Sequence, residues 1–129
     1  MARFAAARNG RRDPSDRRRR KEASMIYDHR TYTIQPGKMG EFLKVYEAKG
    51  WPLQKKYLGE PLGYFTSMDI GELNQVVHLW RYESLADRAE RRTKLQADPA
   101  WPDYLGSALP LVQHMANKIL TPAPFMKGL

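Results

Sequence analysis

The stretch "VVHLW" (76–80), at the centre of "LNQVVHLWRY" (73–82), decides how this chain folds. Successive side chains of an extended strand point to opposite faces. One face therefore carries Val76, His78, Trp80 and Tyr82, and the other Val77 and Leu79. Both faces are apolar, and a histidine sits in the middle of one. Such a run belongs to a sheet covered on both sides, so the rest of the chain has to supply two covers or leave one to a partner.

Upstream, "IYDHRTYTI" (26–34) is rich in β-branched and aromatic residues and stops at the turn signal "QPGK", which predicts a first strand. From Pro36 to about Tyr57, Met39, Phe42, Leu43, Tyr46, Trp51 and Leu53 recur at helical spacing, with Gly50 and Pro52 bending or interrupting the helix. "PLGYFTSMDI" (61–70) is predicted to be the second strand, with Leu62, Tyr64, Met68 and Ile70 on one side and Phe65 on the other. A short hairpin at Gly71 and Glu72 joins it to 73–82.

Downstream, Ser84 followed by Asp87 has the spacing of a helix N-terminus. The helix it opens, "LADRAERRTKLQ", is expected to turn Leu85, Ala89 and Leu95 inward and to keep "RAERRTK" as a solvated, charged face. Residues 99–109 form a second short helical piece restarted by proline, and "LVQHMANKIL" (111–120) is the last strand. The order β, α, β, β, α, β predicts an α+β, ferredoxin-like fold. Its four-stranded antiparallel sheet has the helices on one face, with strands one and three central.

Helices on one face leave the other bare. Exposing Trp80, Tyr82 and their neighbours would forgo roughly 2 kcal/mol for each large side chain. The expectation is that a second copy lays its sheet over this face in a two-fold homodimer, with His78 between the two sheets.

The composition supports one packed domain. The chain has 129 residues, 42% of them hydrophobic, and a formal net charge of +8. Residues 1–24 hold nine Lys/Arg against three Asp/Glu, whereas the following 105 hold thirteen against eleven. The basicity thus sits in "MARFAAARNGRRDPSDRRRRKEAS", which has too little apolar area to offset the entropy of ordering and is expected to be disordered. The folded domain is expected at 25–129. Three readings of the basic segment compete: an arm for nucleic acid, an Arg-rich targeting sequence, or translated upstream sequence. Met25, directly before the first strand, favours the third. A nucleic-acid partner is not expected, because no aromatic residues for base stacking are interleaved with the arginines. The absence of cysteine excludes disulfides, thiolate catalysis and Cys-based metal centres. No apolar run approaches the roughly 18 residues of a membrane span, and no secretory signal opens the chain, so a soluble, cytoplasmic protein is expected.

The candidate chemistry lies on the strands. His29, His78 and His114 fall on three different strands, each able in principle to act as a base near neutral pH. No two of them have metal-ligand spacing, so neither a metal nor a cofactor is expected. Asp28, Arg30 and Tyr32 share one face of the first strand. Arg30 then either anchors a carboxylate or enolate, with Tyr32 as hydrogen-bond donor, or the charges are paired within the sheet, Asp28 with Arg30 or across strands with Arg81 or Lys118, the commoner arrangement. His78 and Arg30 are the candidate catalytic residues, and Tyr32, Trp80, His29 and His114 the candidate pocket lining. There is no phosphate-cradling glycine loop, nucleophile elbow or dinucleotide fingerprint.

The segments "MIYDHRTYTIQPGKMGEF", "NQVVHLWRYESLADRAERR" and "ILTPAPF" resemble, in order, those of the NIPSNAP family across residues 25–129. The resemblance implies a ferredoxin-like domain that forms a dimeric α/β barrel. It also implies kinship with small oxygenases, haem degraders and isomerases of the same architecture. Since a fold does not carry a function, two expectations stand: a small-molecule-binding or protein-interaction module, and a cofactor-independent oxygenase or isomerase acting on a small aromatic or enolisable substrate, with His78 as base and Arg30 as anion anchor.

Overall fold

A computed structural model describes residues 25–126 and, before them, Pro14 alone. The expected disorder of 1–24 lies outside the described residues. Strand β1 (Ile26–Ile34) leads through the turn at Gln35–Lys38 into α1 (Met39–Val45), which continues through one π-helical turn (Tyr46–Gly50) into α2 (Trp51–Leu58). Strands β2 (Gly63–Ser67) and β3 (Gln75–Tyr82) follow, then α3 (Leu85–Ala97), α4 (Ala100–Ala108), a 3₁₀ turn (Leu109–Leu111) and β4 (Val112–Leu120). All strand pairs are antiparallel, in the order β2-β3-β1-β4. The fold is the ferredoxin-like α+β arrangement, with the first and third strands central.

Local chemistry accounts for the boundaries. The Ser84 hydroxyl accepts the Asp87 N–H at 3.0 Å and the Asp87 carboxylate accepts the Glu83 N–H at 2.9 Å, so two amide donors at the start of α3 are satisfied. Gly59, at φ 87°, ends α2 in a conformation that side chains disfavour. Gly50 and Pro52 do not break the helix; the extra residue is absorbed by the π turn, where Gly50 packs directly on Tyr46 and Tyr104.

Two boundaries differ from expectation. Strand β2 is only five residues long, because a loop over residues 68–74 replaces the two-residue hairpin. Gly71 and Asn74 take positive φ there, and Ile34 donates its N–H to the Asn74 carbonyl, which ties the loop to β1. Met68, Ile70 and Leu73 are consequently exposed rather than seated on a sheet face. On α3, Leu95 is buried, but Leu85 and Ala89 face solvent.

The largest correction concerns the two faces of the sheet. Val76, His78, Trp80 and Tyr82 are 0–1% exposed within a single chain. The helices lie on this face, not the other. Ile34, Phe42, Tyr46, Val76, Tyr104 and Leu111 pack in one cluster, and Ile26, Leu58, Trp80, Tyr82 and Leu95 in a second. His78 is therefore not between two sheets, and Trp80 needs no second copy to cover it. The bare face is the opposite one, where Phe65 is 56% exposed beside the half-buried Val77 and Leu79. Strand β4 is exposed along nearly its whole length.

Candidate functional site

Asp28, Arg30 and Tyr32 project from β1 to the helix side, opposite Trp80, His78 and Val76 of β3 and Ile119, Asn117 and Met115 of β4. Asp28 has no exposed surface. Its Oδ2 accepts from Arg30 at 3.0 Å and from Arg88 of α3 at 2.9 Å, while Oδ1 accepts from the Asn117 amide at 3.3 Å. Burial alone would raise the Asp28 pKa. The Arg30 and Arg88 guanidiniums and the Asn117 hydrogen bond outweigh it and hold the carboxyl below its ordinary value. The Asp28–Arg30 pair read from the sequence is present, and Arg88 is the partner that the reading missed.

Arg30 has a second neighbour. Its Nε donates to the Tyr32 hydroxyl at 3.0 Å, which leaves the hydroxyl's own proton available to another acceptor. Both side chains line a cavity of about 250 Å³ between the sheet and the helices. Phe42, Trp101, Tyr104, Leu105, Val112 and Met115 supply its apolar wall, and Gln54, Arg92 and Gln96 its other polar groups. Gln54 spends its carbonyl oxygen on the Tyr46 hydroxyl at 2.7 Å. Arg92, half-buried on α3, makes no hydrogen bond or ion pair to any described residue. Burial, and then the like charge of Arg30, lowers its pKa. The expectation that "RAERRTK" is simply a solvated face is thus corrected. Arg88 reaches Asp28, Arg91 reaches the Leu58 carbonyl at 3.1 Å, and Arg92 lines the cavity, while only Glu90 and Lys94 pair in solvent.

His78 lies one layer behind. The Tyr64 ring stacks on it at 4.6 Å and Tyr32 meets it edge-on at 4.9 Å. Its Nδ1 accepts the Trp80 indole N–H at 2.6 Å, and its Nε2 is buried without a partner. Burial, with Arg30 as the next cause, pushes its pKa down to about 3, so the ring is neutral at physiological pH. With the Nδ1 lone pair taken, the proton of the neutral ring is assigned to Nε2. The ring therefore offers a donor, where the sequence suggested a base. Trp80 is 1% exposed and holds His78 rather than lining the cavity.

The remaining histidines are elsewhere. His29 borders a shallow depression of about 180 Å³ on the opposite face with Thr31, Ala116 and Lys118. His114, paired in register with Thr33, is exposed on that same face. The three histidines do not converge, and no group of three His, Cys, Asp or Glu is placed to hold a metal ion among the described residues. Nor is any helix among them long and apolar enough to cross a membrane.

The comparisons with known proteins agree with this geometry. The NIPSNAP family model matches residues 27–127. A NIPSNAP family protein of unknown function from Agrobacterium tumefaciens superposes with a TM-score of 0.75 at 45% identity, over 81% of this chain and 93% of that one. A NIPSNAP-like domain protein from Burkholderia xenovorans gives 0.76 at 45% identity, over 83% and 92%. Human NipSnap homolog 3A is 33% identical over 104 residues, 80% of this chain but 41% of that protein. The Dictyostelium discoideum NipSnap homolog is also 33% identical, over 75% of this chain and 42% of its own. The chain thus spans less than half the length of these two relatives. A candidate antibiotic biosynthesis monooxygenase from Caulobacter crescentus shares the fold alone, at 18% identity and a TM-score of 0.57. Together the matched span and the shared fold assign this chain to the NIPSNAP family.

Proposed function

We propose that this NIPSNAP domain is a homodimeric small-molecule-binding module whose ligand enters the cavity between the sheet and helices α3 and α4. The observation that carries this reading is the cavity itself: a half-open space of about 250 Å³ whose wall is largely aromatic and aliphatic, with a few polar groups. Preformed, mostly apolar hollows with sparse polar groups are the usual form of small-ligand sites. The test is a thermal-shift screen against small phenolic, quinone and acyl compounds, repeated with Leu109→Trp. Leu109 lies at the rim and is 44% exposed, so a larger side chain fills the mouth at little cost in folding. A compound that raises the melting temperature of the wild type and not of the variant supports the cavity, whereas equal shifts in both refute it.

The homodimer is supported by the bare sheet face around Phe65, Val77 and Leu79, whose apolar area a second sheet would cover, and by the dimeric barrel that the family resemblance implies.

A second reading, a cofactor-independent oxygenase or isomerase, draws on the buried, unpartnered Nε2 of His78 beside Tyr32. In that reading the Tyr32 hydroxyl, with the His78 ring edge-on behind it, donates to the oxygen of a developing enolate, Arg30 supplies the positive field, and a water molecule entering with the substrate takes the α-proton. Exchange of solvent deuterium into an enolisable ketone, lost in His78→Asn, would favour it over binding alone.

A further inference from the structure

Around the cavity, the described residues carry more positive charge than they neutralise. Three guanidiniums, those of Arg30, Arg88 and Arg92, belong to this side of the sheet, and Asp28 is the carboxylate among them. Asp28 takes Arg30 and Arg88 on a single oxygen and turns the other to Asn117. Among the described residues no Asp or Glu lines the cavity, and Arg92 has no carboxylate partner. A partly buried charge without a counter-ion is costly, and a cation facing a half-open cavity lowers that cost by taking an anion.

Two of the other polar groups, Tyr32 and Gln54, have the same bias. Arg30 has already used the Tyr32 hydroxyl as an acceptor, so the hydroxyl presents its proton. The Tyr46 hydroxyl has used the Gln54 oxygen, so that side chain presents its NH₂ end. Arg92, Tyr32 and Gln54 are then three donors on the wall of one cavity. Much of the remaining lining is aromatic and aliphatic, from Phe42, Trp101, Tyr104 and Leu105.

The geometry points to a small carboxylate with one ring or a short acyl chain as the ligand, its anionic end held by Arg92 and its apolar end lying against Trp101 and Tyr104. This rests on the cavity being a ligand site and adds the class of ligand. Arg92 is the specificity-determining residue: planar and bidentate toward a carboxylate, and, of these three arginines, the one with no hydrogen bond or ion pair to a described residue. Arg30, already paired with Asp28, contributes field rather than a direct bond.

The test is calorimetric titration of the full chain at low salt with three pairs of acid and amide: benzoate and benzamide, phenylacetate and phenylacetamide, hexanoate and hexanamide. At least one acid should bind on the order of tenfold more tightly than its neutral amide, since a charge-assisted pair replaces a neutral hydrogen bond. Arg92→Gln should abolish that preference, and Arg92→Lys should keep part of it. Arg91→Gln, which removes a guanidinium committed to Asp87 and the Leu58 carbonyl, serves as the control and should change nothing. Amides that bind as tightly as acids, or an acid preference that survives Arg92→Gln, overturn the assignment while leaving the cavity as a ligand site. If neither acids nor amides bind, and no compound shifts the melting temperature in the wider screen, the assignment and the cavity reading fall together.

Discussion

Trp80 donates its indole N–H to Nδ1 of His78 at 2.6 Å, from two positions along the same strand and on the same face. The bond satisfies two buried polar groups with each other and sets the tautomer of the imidazole. It explains how a histidine is accommodated in an apolar run, and it makes His78 a group that folding keeps neutral.

A dependence of stability on pH follows. Burial, with Arg30 as the next cause, lowers His78 from an ordinary value of 6.5 to about 3. As pH falls through 6.5 the unfolded chain takes up a proton at this position and the folded chain does not, so stability that is complete above this range is lost progressively toward pH 3. Asp28 acts in the same sense at lower pH: its folded pKa lies below 3.8, so its contribution is present above 3.8 and is lost as pH falls through the folded value. Denaturant unfolding of the wild type from pH 7 to pH 4.5 should lose up to about 1.4 kcal/mol per pH unit from His78. His78→Asn should flatten that slope whatever its absolute stability, and an unchanged slope refutes the account.

Removing the Asp28 charge should be among the most damaging polar substitutions. Asp28→Asn leaves Arg30 and Arg88, with side chains 14% and 23% exposed, facing each other without a carboxylate. The expected loss is on the order of 3 kcal/mol, reduced by whatever water reaches the guanidiniums. Arg88→Gln, which leaves Asp28 still paired with Arg30, should cost less. Unfolding midpoints in urea give both values, and equal losses would contradict the shared role of Asp28.

Two glycines of the first helical segment should behave oppositely on substitution. A methyl on Gly50 would sit 2.6 Å from the Tyr104 ring and 2.8 Å from that of Tyr46, so Gly50→Ala should destabilise by about 1–3 kcal/mol through overpacking. At Gly40 nothing lies within 4 Å. Gly40→Ala should therefore stabilise by about 0.5–1 kcal/mol, the helix preference of alanine over glycine. Thermal unfolding of the two variants beside the wild type checks both signs.

The bare sheet face makes a separate prediction. Phe65, 56% exposed, lies flat over Gly63 on that face. If the proposed dimer packs its two sheets here, Phe65→Glu places a charge between them and should shift sedimentation from a dimer to a monomer, with little effect on the monomer's own melting. A wild type that sediments as a monomer at micromolar concentration, or a variant that stays dimeric, would remove this face as the interface.

The order of elements, the central strands, the N-terminus of α3 and the Asp28–Arg30–Tyr32 face were all legible from the sequence, because each rests on near neighbours or on a repeat of two or 3.6 residues. Other features escaped it. Period-two alternation is symmetric between the faces of a sheet, so "VVHLW" shows that two faces need covers but not which one the chain covers itself. That is decided by where the apolar stripe formed by Phe42, Tyr46, Tyr104 and Leu95 settles, which put His78 and Trp80 beneath the helices and left Phe65 outside. Arg88 and Arg92 were hidden for a similar reason. A run of charge reads as solvated until a neighbouring element folds over it, and only the docking of α3 against β1 and β3 turned two of its arginines toward a buried carboxylate and a cavity. Local periodicity determined what the pieces are; the side on which they pack, a property of long-range contacts, determined the site.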